Sequence, residues 1–156
     1  MRRFSARNIE KARFIRAAIE KEVLVRAAAN CDEAGAERLK RSLIQQEEVM
    51  AQGDFDVFGR LDYEFHKTLC EVAGASYAFD VIREEKAKID RLCMLGHHKE
   101  QRIPDLVADH RAIADAVIAH DEAAAAKAGM THLSRLDETI ERIKAQNADF
   151  FEQTDR

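Results

Sequence analysis

The chain has 156 residues and a formal net charge of -4, with one proline, six glycines and 46% hydrophobic against 35% charged residues. That length supports one sizeable core and not two. The acidic balance excludes strong binding of a phosphate backbone by these residues, and the scarcity of chain breakers argues for long helices over a turn-rich β architecture.

The first helix is expected from Asn8 to about Ala29, where Ile9, Ala12, Ile15, Ile19 and Val23 keep a helical period beside Phe14. Asp32 offers a start signal for a second helix carrying Leu39, Leu43 and Met50 and stopping at Gly53. Asp54 caps a third, in which Phe55, Phe58, Leu61, Phe65, Leu69 and Val72 recur at threes and fours until Gly74. Ser76 is the expected cap of a fourth helix ending near Gly96, followed by a polar connection, "HHKEQRI". Pro104 then fits the first turn of a fifth helix that runs to His120, and Asp121 caps a sixth. No segment reads as a strand. The expected fold is all-α, an antiparallel bundle of six or seven helices.

No apolar run reaches the roughly 18 residues that would span a bilayer, and the two N-terminal arginines are followed by no apolar stretch of a secretory signal. Cys31, Cys70 and Cys93 form an odd set without a CxxC spacing, which fits small buried residues in a reducing compartment. A cytoplasmic location is therefore expected.

The third helix carries "LDYEFHKTL", with Asp62 and His66 four positions apart. That spacing is about 40° of rotation, so both project from one face and can hold one object between them. An Asp–His hydrogen bond on a half-exposed face is the plainer reading of the pair alone. His110 is surrounded at helical spacing by Ile103, Leu106, Val107, Ile113, Ala114 and Val117, and His132 by Ala125, Ala128, Gly129, Leu136 and Ile140. One inward histidine is readily satisfied by a carbonyl. Several imidazoles buried together without a ligand would cost roughly 1–3 kcal/mol for each unpaired group, a cost that a cation removes. Asp62, His66, His110 and His132 are thus a candidate set for a divalent first-row metal, zinc with nickel or manganese as alternatives, leaving one or two coordination positions open. His97, His98 and His120 fall in a connection or at a helix end and are left out. Arg91, between Ile89 and Leu92, reads either as a surface arginine with a buried stem or as a cation turned inward.

With "DYEFHKTL", "DHRAIADAVIAHDEAAA" and "GMTHL" in this order, the sequence resembles the FCD domain, the C-terminal effector-binding domain of FadR-subfamily GntR transcription regulators, over nearly its whole length. The resemblance implies a helical bundle with a central metal and ligand cavity, in its metal-binding rather than its acyl-CoA-binding branch, with Asp62, His66, His110 and His132 as the ligands. It further implies a small carboxylate or sugar acid as effector, with Arg91 on the fourth helix as the candidate contact, and a homodimer. Residues 1–156 are expected to form a single FCD-like domain, DNA being contacted only through an N-terminal winged-helix domain not contained in them. The rival reading is a stand-alone helical metal-dependent hydrolase or transferase. It lacks a placed general base, since Glu64 points away from its neighbours and Glu71 and Asp109 read as solvated charges.

Overall fold

A computed structural model describes residues 3–94 and 99–152. Six helices follow one another: α1 (Ala6–Asn30), α2 (Glu33–Gln52), α3 (Phe55–Val72), α4 (Ala78–Cys93), α5 (Lys99–Ile118) and α6 (Glu122–Gln146), with a short 3-10 turn at Ala148–Phe150. The all-α bundle expected from the sequence is the observed one.

Four of the helix starts are capped by a side chain that satisfies an otherwise unpaired amide. Ser5 Oγ accepts from Asn8 N, Asp32 from Gly35 N, Asp54 from Val57 N and Asp121 from Ala124 N. Gly53 ends α2 at φ 72°, a left-handed conformation that suits glycine. The expected Ser76 cap is corrected by the structure: α4 has no side-chain cap, and the carbonyls of Ala75 and Ser76 accept from Ala78 N and Phe79 N instead. The turn at Gly74, also at φ 72°, leads so directly into α4 that backbone groups do the capping.

Two further boundaries differ. Helix α5 begins at Lys99, so residues 99–103 are helical rather than connecting, and Pro104 lies inside the helix. Ile103 is buried and continues the stripe through Val107, His110 and Ala114, so burial extends the helix past the proline at the cost of one hydrogen bond. The expected end of the fourth helix near Gly96, with His97 and His98, lies outside the described residues. The segments flanking α1 and α6 meet in a single bridge, Phe4 N donating to Phe150 O and Glu152 N to Phe4 O.

Helix α1 packs chiefly on α6 and α4 and also touches α3 and α5, while α2 packs on α3 and α5. One apolar cluster joins Val23, Leu24, Leu39, Phe65, Leu69, Phe79, Ile82 and Ile113. A second joins Ile9, Ala12, Ile89, Leu92, Leu133 and Leu136, and a small third holds Phe58, Ile103 and Val107. Buried polar residues separate these clusters on every helix: Arg16 and Glu20 on α1, Gln46 on α2, Asp62 and His66 on α3, Lys86 on α4, His110 on α5 and His132 on α6. Along α1 they fall between Ala12 of one cluster and Val23 of the other.

Candidate metal centre

Folding brings the three histidines of α3, α5 and α6 together. His66, His110 and His132 each offer a ring nitrogen within 4.8 Å of the others', and all three rings are buried. Asp62 Oδ1 lies 3.3 Å from His66 Nε2 and 3.3 Å from His110 Nε2. Neither contact has hydrogen-bond geometry, so both Nε2 atoms are buried without a hydrogen-bond partner among the described residues.

The opposite nitrogen of each ring is engaged. His66 Nδ1 meets Glu20 Oε1 at 3.1 Å, His132 Nδ1 meets Asp109 Oδ2 at 3.1 Å, and His110 Nδ1 meets Gln46 Oε1 at 2.7 Å. A carboxylate only accepts, so Nδ1 carries the proton on His132 and Nε2 is left with its lone pair, whereas both ring nitrogens of His66 face carboxylate oxygens, Glu20 being the nearer. Gln46 Nε2 donates to Ser42 Oγ, which turns the amide oxygen to His110 and gives that ring the same tautomer. Outer groups that hold imidazoles this way are the usual support of metal-bound histidine.

The electrostatics follow from burial and its partners. Burial opposes charge on Glu20, yet the neighbouring Arg16 guanidinium, whose Nε lies 2.8 Å from Glu20 Oε2, holds the carboxyl far below the usual range. Burial likewise opposes charge on Asp62, but Lys86 Nζ at 2.7 Å from Oδ2 keeps it ionised. Burial pushes His110 down to about 4 and also lowers His132, so these rings stay neutral and able to ligate. For His66 the carboxylates of Asp62 and Glu20 outweigh burial and raise it. Three neutral-capable imidazoles and one ionised carboxylate fit a divalent first-row cation, which would satisfy both orphaned Nε2 atoms.

A cavity of about 80 Å³ adjoins this cluster, lined in part by Arg16, Asp62, Tyr63, Lys86, Arg102 and His132. Arg16 is 1% exposed and its two terminal nitrogens have no hydrogen-bond partner.

The family is decided by sequence comparison, which matches residues 12–135 to the FCD domain. The chain belongs to the FCD domain family. It is 30% identical over 149 residues to the HTH-type transcriptional repressor RspR of Escherichia coli, covering 96% of this chain and 65% of that protein. It is 32% identical over 143 residues to an uncharacterized HTH-type transcriptional regulator in an unstable DNA locus of Streptomyces ambofaciens, covering 92% of this chain and 60% of that protein. The chain thus spans less than two thirds, 60–65%, of the length of the curated relatives it matches. Metal binding is associated with FCD domains, and among the described residues no helix is long and apolar enough to cross a membrane.

Of the positions implied by the motifs, His66, His110 and His132 form one cluster, and Asp62 Oδ1 lies 3.3 Å from two of them, His66 and His110. Arg91 does not join them. It is exposed, with its guanidinium 5.3 Å from the centre of the Phe4 ring. Five positions from the inward Lys86 is about 140° around the helix, so Arg91 points away from the cavity. Asp109 is also corrected, from a solvated charge to a buried one that holds His132 and Arg135. His120 stays outside the cluster, its Nδ1 2.8 Å from Ala28 O.

Sequence reasoning did not single out Arg16, Glu20, Gln46 and Lys86. Apolar neighbours at helical spacing were present for three of them, Arg16 and Glu20 falling in the series Ala12, Val23, Ala27 and Lys86 between Ile82 and Ile89, but that spacing alone does not separate a buried long cation from one that reaches water.

Proposed function

We propose that this chain is the effector-sensing domain of a GntR-type transcription regulator, in which a divalent metal and buried cationic side chains capture a small carboxylate. Asp62, His66, His110 and His132 would hold the metal, zinc being favoured by the nitrogen-rich set, with nickel and manganese as alternatives. When bound, the metal supplies open positions for oxygen ligands. The observation that carries the reading is that the Nδ1 atoms of His110 and His132 are hydrogen-bonded and that of His66 lies 3.1 Å from Glu20 Oε1, while the Nε2 atoms of His66 and His110 are buried with no hydrogen-bond partner among the described residues.

Anion capture is assigned to Arg16 and Lys86 in place of Arg91. Arg16 brings two unpaired donors to the cavity, and its planar fork matches a carboxylate. Lys86, held by Asp62 and Asp90, compensates charge at the cavity wall. Because Arg16 and Glu20 lie on α1 and touch both the cavity and His66, an occupied cavity biases the packing of α1 on its neighbours. Such a bias is regulatory only if the effector binds two arrangements with different affinity, and about 1–3 kcal/mol of coupling suffices. DNA contact is assigned to a part of the whole regulator outside these residues, in a cytoplasmic homodimer.

The hydrolase or transferase reading gains no support. Glu64 is exposed, and the buried carboxylates nearest the cluster are committed to His66 and His132 rather than facing a water. The test is calorimetric titration of the metal-loaded chain with small carboxylates, beside a variant in which Asp62, His66, His110 and His132 are alanine. Equal affinity in both overturns the metal-centred reading, as does chemical conversion of the bound acid.

A further inference from the structure

The cavity beside the histidines is small, about 80 Å³. Against about 30 Å³ for one water in the liquid, that is room for roughly three water-sized groups, about the size of one carboxylate. A larger effector extends past this space.

The cavity shares Arg102, Leu106, His132 and Leu136 with a cleft of about 230 Å³ between α5 and α6. That cleft holds three guanidinium groups, Arg102, Arg135 and Arg142, of which Arg135 is already paired with Asp109, beside two exposed carboxylates, Asp105 and Glu138. Arg135 is kept in place by Asp109, whose Oδ1 accepts from its Nε at 3.0 Å while Oδ2 meets His132. One carboxylate therefore ties a cleft arginine to a candidate metal ligand. Arg102 is half-buried and borders both spaces. On the other side of the cavity Asp90 joins Tyr63 at 3.0 Å and also holds the Lys86 ammonium, whose charge is thereby engaged.

We propose that the cleft lined by Arg102, Arg135 and Arg142 is a second anion subsite and that the effector is a two-headed acid. Its first carboxylate occupies the inner cavity at the metal and Arg16, and its second anionic group, a carboxylate or a phosphate, lies in the cleft. This rests on the effector-sensing reading above and narrows its ligand class to dianions. Guanidinium forks suit either terminal group, so the shared chemistry is a short dianion.

The experiment is calorimetry on the metal-loaded chain with lactate, malate and phosphoglycolate, metal content being checked after each titration. The expected result is that malate or phosphoglycolate binds at least roughly tenfold more tightly than lactate, the contribution of about one charge-assisted hydrogen bond. The Arg142→Ala and Arg102→Ala variants should bring that ratio towards one. Whichever dianion shows the advantage identifies the terminal group. Dianion and lactate affinities that are equal in the native chain, or a ratio that survives both substitutions, overturn the second subsite and leave the metal-centred reading standing. Binding of none of the three acids overturns both.

Discussion

Gln46 Oε1 of α2 lies 2.7 Å from His110 Nδ1 of α5 inside the bundle, and this contact decides which nitrogen of His110 faces the other histidines. Replacing Gln46 by leucine removes the acceptor while keeping the bulk. The ring is then free to adopt the other tautomer, which would direct an N–H at the cluster. Metal affinity should fall by roughly 10–100-fold, the usual effect of losing such an outer partner, whereas Gln46→Glu keeps an acceptor and most of the affinity. Competition against a chromophoric chelator measures both. Equal affinity in native chain and Gln46→Leu would remove Gln46 from the site.

Asp62 and Lys86 form a buried pair at 2.7 Å, with Asp90 a further 3.0 Å partner of the ammonium. Lys86→Met leaves the Asp62 carboxylate buried without its cation, and breaking one side of such a pair costs roughly 3–5 kcal/mol. A bound metal supplies replacement charge at Asp62, so the loss should be markedly smaller in metal-loaded protein. Urea denaturation with and without metal reads this difference, and an identical loss in both states would separate Asp62 from the metal.

What was legible in the sequence divides along physical lines. Helix starts at Asp32, Asp54 and Asp121 were plain because capping is a local interaction, encoded within three residues. The start of α5 was not, because Ile103 is held helical by burial that only the tertiary structure supplies, against the local signal of Pro104. The histidines stood out as polar residues on apolar stripes. Arg16 and Lys86 lie on equally apolar stripes, but long cationic side chains on a helix usually reach water, and nothing local announces that both are buried. Phe14 and Ile15, counted with the apolar pattern of the first helix, are 73% and 36% exposed. The rest of the α1 stripe is where the pattern puts it, with Ile9, Ala12 and Val23 buried, and the buried face is completed not by Phe14 and Ile15 but by Arg16 and Glu20.

Metal-free protein should lose stability on acidification below about pH 6.5. Burial holds His110 down to about 4 in the folded chain, from an ordinary value of 6.5. The unfolded chain therefore takes up a proton at His110 as pH falls through 6.5 while the folded chain does not, and unfolding becomes easier until about pH 4. His132 is shifted in the same direction. His66 is raised by its carboxylates, so its stabilisation grows as pH falls towards 6.5 and is constant below it, which offsets part of the decline only at the upper end of this range. A shift of this size corresponds to about 3 kcal/mol at His110. Denaturation midpoints at pH 7 and pH 5 should show the decline, and His110→Phe should flatten it. A midpoint that does not move in the native chain would contradict the neutral, buried state of these rings.

Gly129 sits at the crossing of α6 on α1, three residues before His132, and a Cβ placed there would lie 2.2 Å from Leu24 Cδ1. Alanine gains about 1 kcal/mol of helix propensity over glycine, but overpacking a closed site typically costs about 1–3 kcal/mol. Leu24 is buried, so its tip can yield only by repacking against its core neighbours, and the packing cost should win, leaving Gly129→Ala less stable by roughly 1 kcal/mol. Relief by moving α6 away from α1 would draw His132 away from Glu20 and His66, so metal affinity should fall together with stability. The Leu24→Ala, Gly129→Ala double variant removes the collision, and its two substitutions should cost less together than the sum of their separate losses. Chemical denaturation and chelator competition on the four proteins of this cycle test both parts. Strict additivity would show that the leucine tip simply moves aside, and that the close approach of α1 and α6 has no part in holding the histidines.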